Sequence, residues 1–233
     1  MLNWIKERFR RSPTVPVVRL AGVIASSGGL LAGRSLSIDS VAPLLKRAFE
    51  MRGAKAVALA INSPGGSAVQ SSLIAARIRR LADEKSVKVH AFVEDVAASG
   101  GYWLACAGDE IWVDDSSIVG SIGVIFASFG FPELMARQGI ERRVVTAGKS
   151  KSFADPFLPQ KPEDIDRLRA LQGPIHEAFI AHVKARRGAR LAEADLVNTV
   201  MFTAEHPCRH RRRLVCTLNR YEIEVDGLIG RGD

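Results

Sequence analysis

The chain has little cysteine, no long apolar run and no low-complexity stretch. Its three cysteines, Cys106, Cys208 and Cys216, are too few and too scattered for a disulfide framework or a zinc site. No apolar run reaches the roughly 18 residues that a membrane-spanning helix needs. No apolar core follows the basic N-terminus, so a secretory signal is excluded there. Neither an internal repeat nor a linker divides the sequence, which reads as one compact domain. With 47% hydrophobic and 25% charged residues over 233 positions, disorder is excluded and a sizeable core is permitted.

Acidic residues are the minority sign, 25 against 33 Lys plus Arg, for a net charge of +8. The surplus gathers at the ends. Lys6, Arg8, Arg10 and Arg11 share residues 1–14 with Leu2, Ile5 and Phe9 at helical spacing and with Trp4. A basic amphipathic segment of this kind suits peripheral contact with an anionic membrane through residues 1–12, or simply a solvated terminus. The other cluster, His206, Arg209, His210, Arg211, Arg212 and Arg213, opens a tail over 206–233 of abruptly different composition. It interleaves no aromatics and matches no nucleic-acid module, so nucleic acid is not an expected partner.

Between these ends, strand and helix patterns alternate. Strands are expected at 15–20, 21–24, 54–61, 87–93, 110–113 and 141–146. Helices are expected at 38–51, 67–81 with Ser67 as cap, 102–107, 131–138 and 162–187. The apolar run at 54–61 has the character of a strand buried on both faces. Repeated β-α-β units imply an α/β fold with a mainly parallel sheet.

The chemistry collects where two of these strands end. Asn62-Ser63-Pro64-Gly65-Gly66 follows one, and Ser99-Gly100-Gly101 follows the next. Turns at the carboxyl ends of parallel strands share one sheet edge, where α/β proteins place their sites. A serine opening a helix there gains from the positive helix end, which favours a developing oxyanion. A histidine base is not at hand. His90 lies mid-strand, while His176, His182, His206 and His210 fall in the long helix or the basic tail. A lysine can take that role once desolvated, and Lys149 and Lys151 share one polar loop. Charge pattern alone does not choose between them. Trp103 and Cys106 read as packing residues, and Glu94 and Asp95 as a solvated loop pair.

Four motifs in order carry a family resemblance: Ile61-Asn62-Ser63-Pro64-Gly65-Gly66, Ala98-Ser99-Gly100-Gly101-Tyr102, Val119-Gly120-Ser121-Ile122-Gly123-Val124 and Gly148-Lys149-Ser150-Lys151. Together they resemble the S49 serine peptidases, the family of signal peptide peptidase A, over residues 15–205. The resemblance implies a Clp protease/crotonase-like fold of repeated β-β-α units. It implies Ser99 as nucleophile, Lys151 as general base, Gly66 and Gly100 as oxyanion-hole donors, and Ser121 as the hydroxyl orienting the base. It implies neither metal nor cofactor, a peptide or unfolded-protein substrate, and a homo-oligomer. Without the family's N-terminal anchor the chain resembles the short soluble members, implying a cytoplasmic location, at most peripheral to the inner membrane surface. Two alternatives stand beside a peptidase: a crotonase-type acyl-CoA hydratase or isomerase, and an inactive peptide-binding scaffold.

Overall fold

The computed structural model describes residues 14–26, 35–148, 151–188 and 201–202. The tail over 206–233, the residues before Thr14, and Lys149 lie outside the described residues. The elements follow as β1 (Val17–Ala21), α1 (Ile38–Phe49), β2 (Ala56–Ser63), α2 (Ala68–Lys85), β3 (Lys88–Ala98), α3 (Gly100–Ala105), β4 (Glu110–Val113), β5 (Ile118–Gly120), α4 (Pro132–Arg137), α5 (Pro162–Arg187) and β6 (Met201–Phe202). Contacts divide the chain into two compact units, Gly123–Ala178 and the remainder.

In the larger unit β1, β2 and β3 run parallel and in sequence order. Past β3 the neighbour changes. β4 pairs with residues 90–93 of that strand and β5 with residues 96–98, both parallel, and β6 closes the order antiparallel to β5. The expected parallel α/β architecture is present. β2 is buried from Ala56 to Ile61, as its unbroken apolar run requires of a central strand. Val57, Leu59 and Ile61 enter the main core with Val89, Ala91 and Val93 of β3, while Ala58 and Phe92 face a smaller cluster with Val15 and Trp112. In β2, large residues on one face and alanines on the other follow the period-2 alternation of strands.

The helices start where the sequence offers caps. The Ser37 hydroxyl accepts the Ser40 N–H in a capping box ahead of α1, and the Ser67 hydroxyl accepts the Gln70 N–H ahead of α2. α3 is apolar and buried throughout, enclosed rather than amphipathic. Its Trp103 stacks on Phe179 of α5, with centroids 4.8 Å apart.

In the smaller unit the Phe131 N–H bonds the Pro156 carbonyl, and Phe131 stacks on Phe157. Arg142 pairs with Asp155 at 2.8 Å and lies 4.7 Å over the Phe157 ring. The strand expected at 141–146 does not form. Its residues are all exposed, and a strand exists only through a ladder that no described residue supplies. Two expected strands at 15–24 are likewise one, β1, with Ile24 making isolated bridges to Leu36 and Gly66. Glycine at position 22, with φ 102°, turns the chain between them.

Candidate active site

Ser99 stands at the end of β3 and caps α3, but it caps unlike the others. Its backbone has φ 50° and ψ −119°, its hydroxyl makes no capping bond, and its carbonyl accepts the Trp103 N–H at 3.0 Å. A non-glycine residue at that φ is strained and persists only where its surroundings dictate it. Here they do. The Ser99 N–H is bonded to the Gly120 carbonyl at 2.8 Å, continuing the β3–β5 register past Ala98 and Gly120. Ser121, half-buried at φ 56°, follows directly, so the ends of β3 and β5 bring Ser99 and Ser121 to one edge.

The turn after β2 packs against the same place. A Cβ on Gly65 would lie 2.7 Å from both the Ala98 carbonyl oxygen and the Gly100 nitrogen, and 2.8 Å from the Ser99 Cβ. A Cβ on Gly100 would lie 2.3 Å from the Ser71 hydroxyl, and one on Gly101 2.3 Å from the Ser63 carbonyl oxygen. The two glycine turns therefore touch through bare backbone, which side chains would prevent.

Two N–H groups remain to be placed. Gly100 occupies the first position of α3, where a helix leaves its N–H without an internal partner. The Gly65 carbonyl accepts the Ile24 N–H and the Ile24 carbonyl accepts the Ser67 N–H, each at 2.8 Å. In a trans peptide the Gly66 N–H points opposite to the Gly65 carbonyl, hence away from Ile24. Gly66 is exposed.

Neither His90 nor His182 completes this site. His90 is the third residue of β3, nine residues before Ser99 and about 30 Å away at strand rise. It is buried, its Nδ1 lies 3.5 Å from a Glu110 carboxylate oxygen, and burial lowers its pKa below 6.5. His182 is held on the Trp103 carbonyl at 3.1 Å, and burial lowers its pKa as well. Lys151 belongs to the smaller unit, where it occupies an exposed turn ahead of Ala154 (φ 53°). Trp103 and Cys106 are buried packing residues as expected, with the Cys106 thiol pushed up to about 12 by burial. Glu94 and Asp95 are strand residues rather than a loop pair. Glu94 pairs with Arg19 at 2.7 Å and Asp95 accepts from Asn62 at 2.6 Å. Sequence reading gave no role to Ile24 or Ser71, nor to Ser63 within its motif. Nothing in an isolated Ser or Ile announces contact with a distant glycine turn.

Residues 81–205, more than half of the chain, match the family model for peptidase family S49. The chain belongs to this family of serine peptidases. The S49 chain is 40% identical to protease 4 of Haemophilus influenzae over 67% of its own length and 25% of that protein. It is 32% identical to the chloroplastic serine protease SPPA of Arabidopsis thaliana over 71% of its length and 24% of the relative. A protein of Brucella melitensis named Na(+)/H(+) antiporter NhaA is 56% identical over 85% of this chain but only 27% of its own length. The chain thus spans about a quarter of these relatives. Among solved structures, a mutant of the 1510-N membrane-bound stomatin-specific protease shares the fold with a TM-score of 0.52. That match is 17% identical and covers 86% of this chain and 77% of the other. It bears out the fold implied by the four motifs. Among the described residues, no helix is long and apolar enough to cross a membrane.

Proposed function

We propose that this S49 chain is a serine endopeptidase acting through Ser99 and Lys151 on peptides or unfolded segments, signal-like peptides included. The observation that carries the reading is the strained turn at Ser99, its hydroxyl left out of capping and its backbone packed on Gly65. In this reading the Lys151 amine takes the Ser99 proton while Oγ attacks the scissile carbonyl. The oxyanion so formed is received by the Gly66 and Gly100 N–H groups. Lys151 then protonates the leaving amine, giving an acyl-serine. Water, losing its proton to Lys151, hydrolyses the ester and restores the serine. Ser121 orients the lysine. No metal or cofactor takes part.

A lysine serves as base only when it is drawn out of water. Lys151 is exposed in the isolated chain, and we assign its desolvation to assembly with further copies. Val145 (100% exposed), Ile125 (87%) and Phe129 (81%) of the smaller unit are the apolar side chains that such a contact would cover. Peripheral membrane contact through residues 1–12, from the cytoplasmic side, belongs to the same proposal. So does a boundary between the peptidase domain at 15–205 and the tail at 206–233. The antiporter's name describes a protein of which this chain matches 27%, and no transport role is assigned to this stretch.

The test is cleavage of an unfolded protein and of apolar fluorogenic peptides. Ser99→Ala and Lys151→Ala should each lower kcat by on the order of 1,000-fold or more with folding intact, and Lys149→Ala should not. Cleavage surviving in folded Ser99→Ala overturns the reading.

A further inference from the structure

The first residue of the Ser63-Pro64-Gly65-Gly66 turn has no part in the steps above, yet it is wholly buried. Its hydroxyl is bonded on both sides. Oγ donates to the Gly22 carbonyl at 2.7 Å and accepts the Gly65 N–H at 3.2 Å. Its own carbonyl oxygen fills the place where Gly101 would carry a Cβ, 2.3 Å off. One small residue thereby joins the loop after β1 and the turn after β2 through its hydroxyl, and the helix that Ser99 opens through its carbonyl.

The consequence falls on the next amide. Gly65 has φ 98° and no side chain, so by itself it is a freely rotating joint of the turn. Ser63 holds the peptide plane on its N-terminal side through the Gly65 N–H. Ile24 holds the plane on its C-terminal side through the Gly65 carbonyl. With both planes fixed, the direction of the Gly66 N–H is fixed too.

We infer that Ser63 is a positioning residue, whose hydroxyl aims the Gly66 N–H before substrate arrives. This inference rests on the serine peptidase reading and deepens it. An oxyanion donor set in advance stabilises the transition state without reorganising, so its loss is felt in the chemical step.

The experiment compares wild type, Ser63→Ala and Ser63→Cys as the full chain. Cysteine keeps the volume but offers only a weak acceptor to Gly65, so it serves where alanine does not fold. The expected result is a kcat lowered roughly 10- to 100-fold with KM within about two-fold of wild type. Inhibition by a peptide aldehyde, whose hemiacetal oxygen occupies the oxyanion position, should weaken by the same factor. A folded variant with wild-type kcat, or a loss carried wholly by KM, overturns the inference. A wild type that cleaves nothing, or a Ser99→Ala that still cleaves, strikes the peptidase reading instead. Amide exchange then decides the orientation claim. Gly65 protection lost in Ser63→Ala while β2 stays protected supports it, and protection unchanged overturns it.

Discussion

Gly66 shows how little room a single residue has at this edge of the sheet. Its φ is 141°, and a Cβ there would fall 2.1 Å from the Ile24 carbonyl oxygen, backbone that cannot swing aside. Gly66→Ala combines backbone strain with overpacking and should cost about 3 kcal/mol, read as a lower urea midpoint. His90 makes a different prediction. Burial holds its pKa below 6.5, against the pull of Glu110 and Asp109 and with the help of Lys88. The unfolded chain therefore takes up a proton at a pH where the folded chain does not. Stability is fully present above about pH 6.5 and falls as pH drops toward the depressed folded value. Urea midpoints at pH 7.5 and 5.5 should separate further in wild type than in His90→Gln. An equal separation in both would assign the acid loss to other groups, such as His182, whose pKa burial also lowers.

Among elements, α3 depends most on its neighbours. Six residues make a helix too short to stand alone. Its closing carbonyls are accounted for one by one. Cys106, Ala107 and Gly108 donate to Tyr102, Leu104 and Ala105, while His182 reaches Trp103 and the Arg186 Nε reaches Cys106 at 3.0 Å. Arg186 and Arg79 also meet on Asp109, 3.1 and 3.0 Å away. Burial works against the Asp109 carboxylate, but the Val89 N–H and the two guanidinium groups hold its pKa below the usual range. Arg186→Ala removes donors from half-buried carbonyls and should cost about 2 kcal/mol, measured by urea unfolding. Much of this layer was legible beforehand. The continuous apolar run gave β2, the serine cap gave α2, and 162–187 is α5 as expected. β3 extends five residues beyond the expected 93 because β5 takes over its ladder where β4 leaves, and pairing of that kind has no local signal. The strand at 141–146 fails for the converse reason, since among the described residues no neighbouring strand offers it a ladder. Ser99, Gly66, Gly100 and Ser121 were named from motifs, but the contacts that fix their backbones join residues 24, 63, 71 and 120, which only the folded chain brings near.

Among the described residues, the smaller unit carries the most exposed apolar side chains, with Lys151 in an exposed turn. If assembly covers that surface, Val145→Asp should shift the chain to a smaller species in sedimentation and lower peptidase activity, while the larger unit keeps its stability. Unchanged size with lost activity would place Val145 against substrate instead. The glycines facing each other across the two turns bear on a different kind of measurement. Gly65, Gly66, Gly100 and Gly101 each lack room for one more carbon, whatever the serine beside them does. A saturation library selected only for soluble expression should be depleted of every replacement at these positions, and equally so when built on Ser99→Ala. Intolerance there records fit, and a sequence surviving with those glycines intact but the serine lost would still keep the shape of an enzyme.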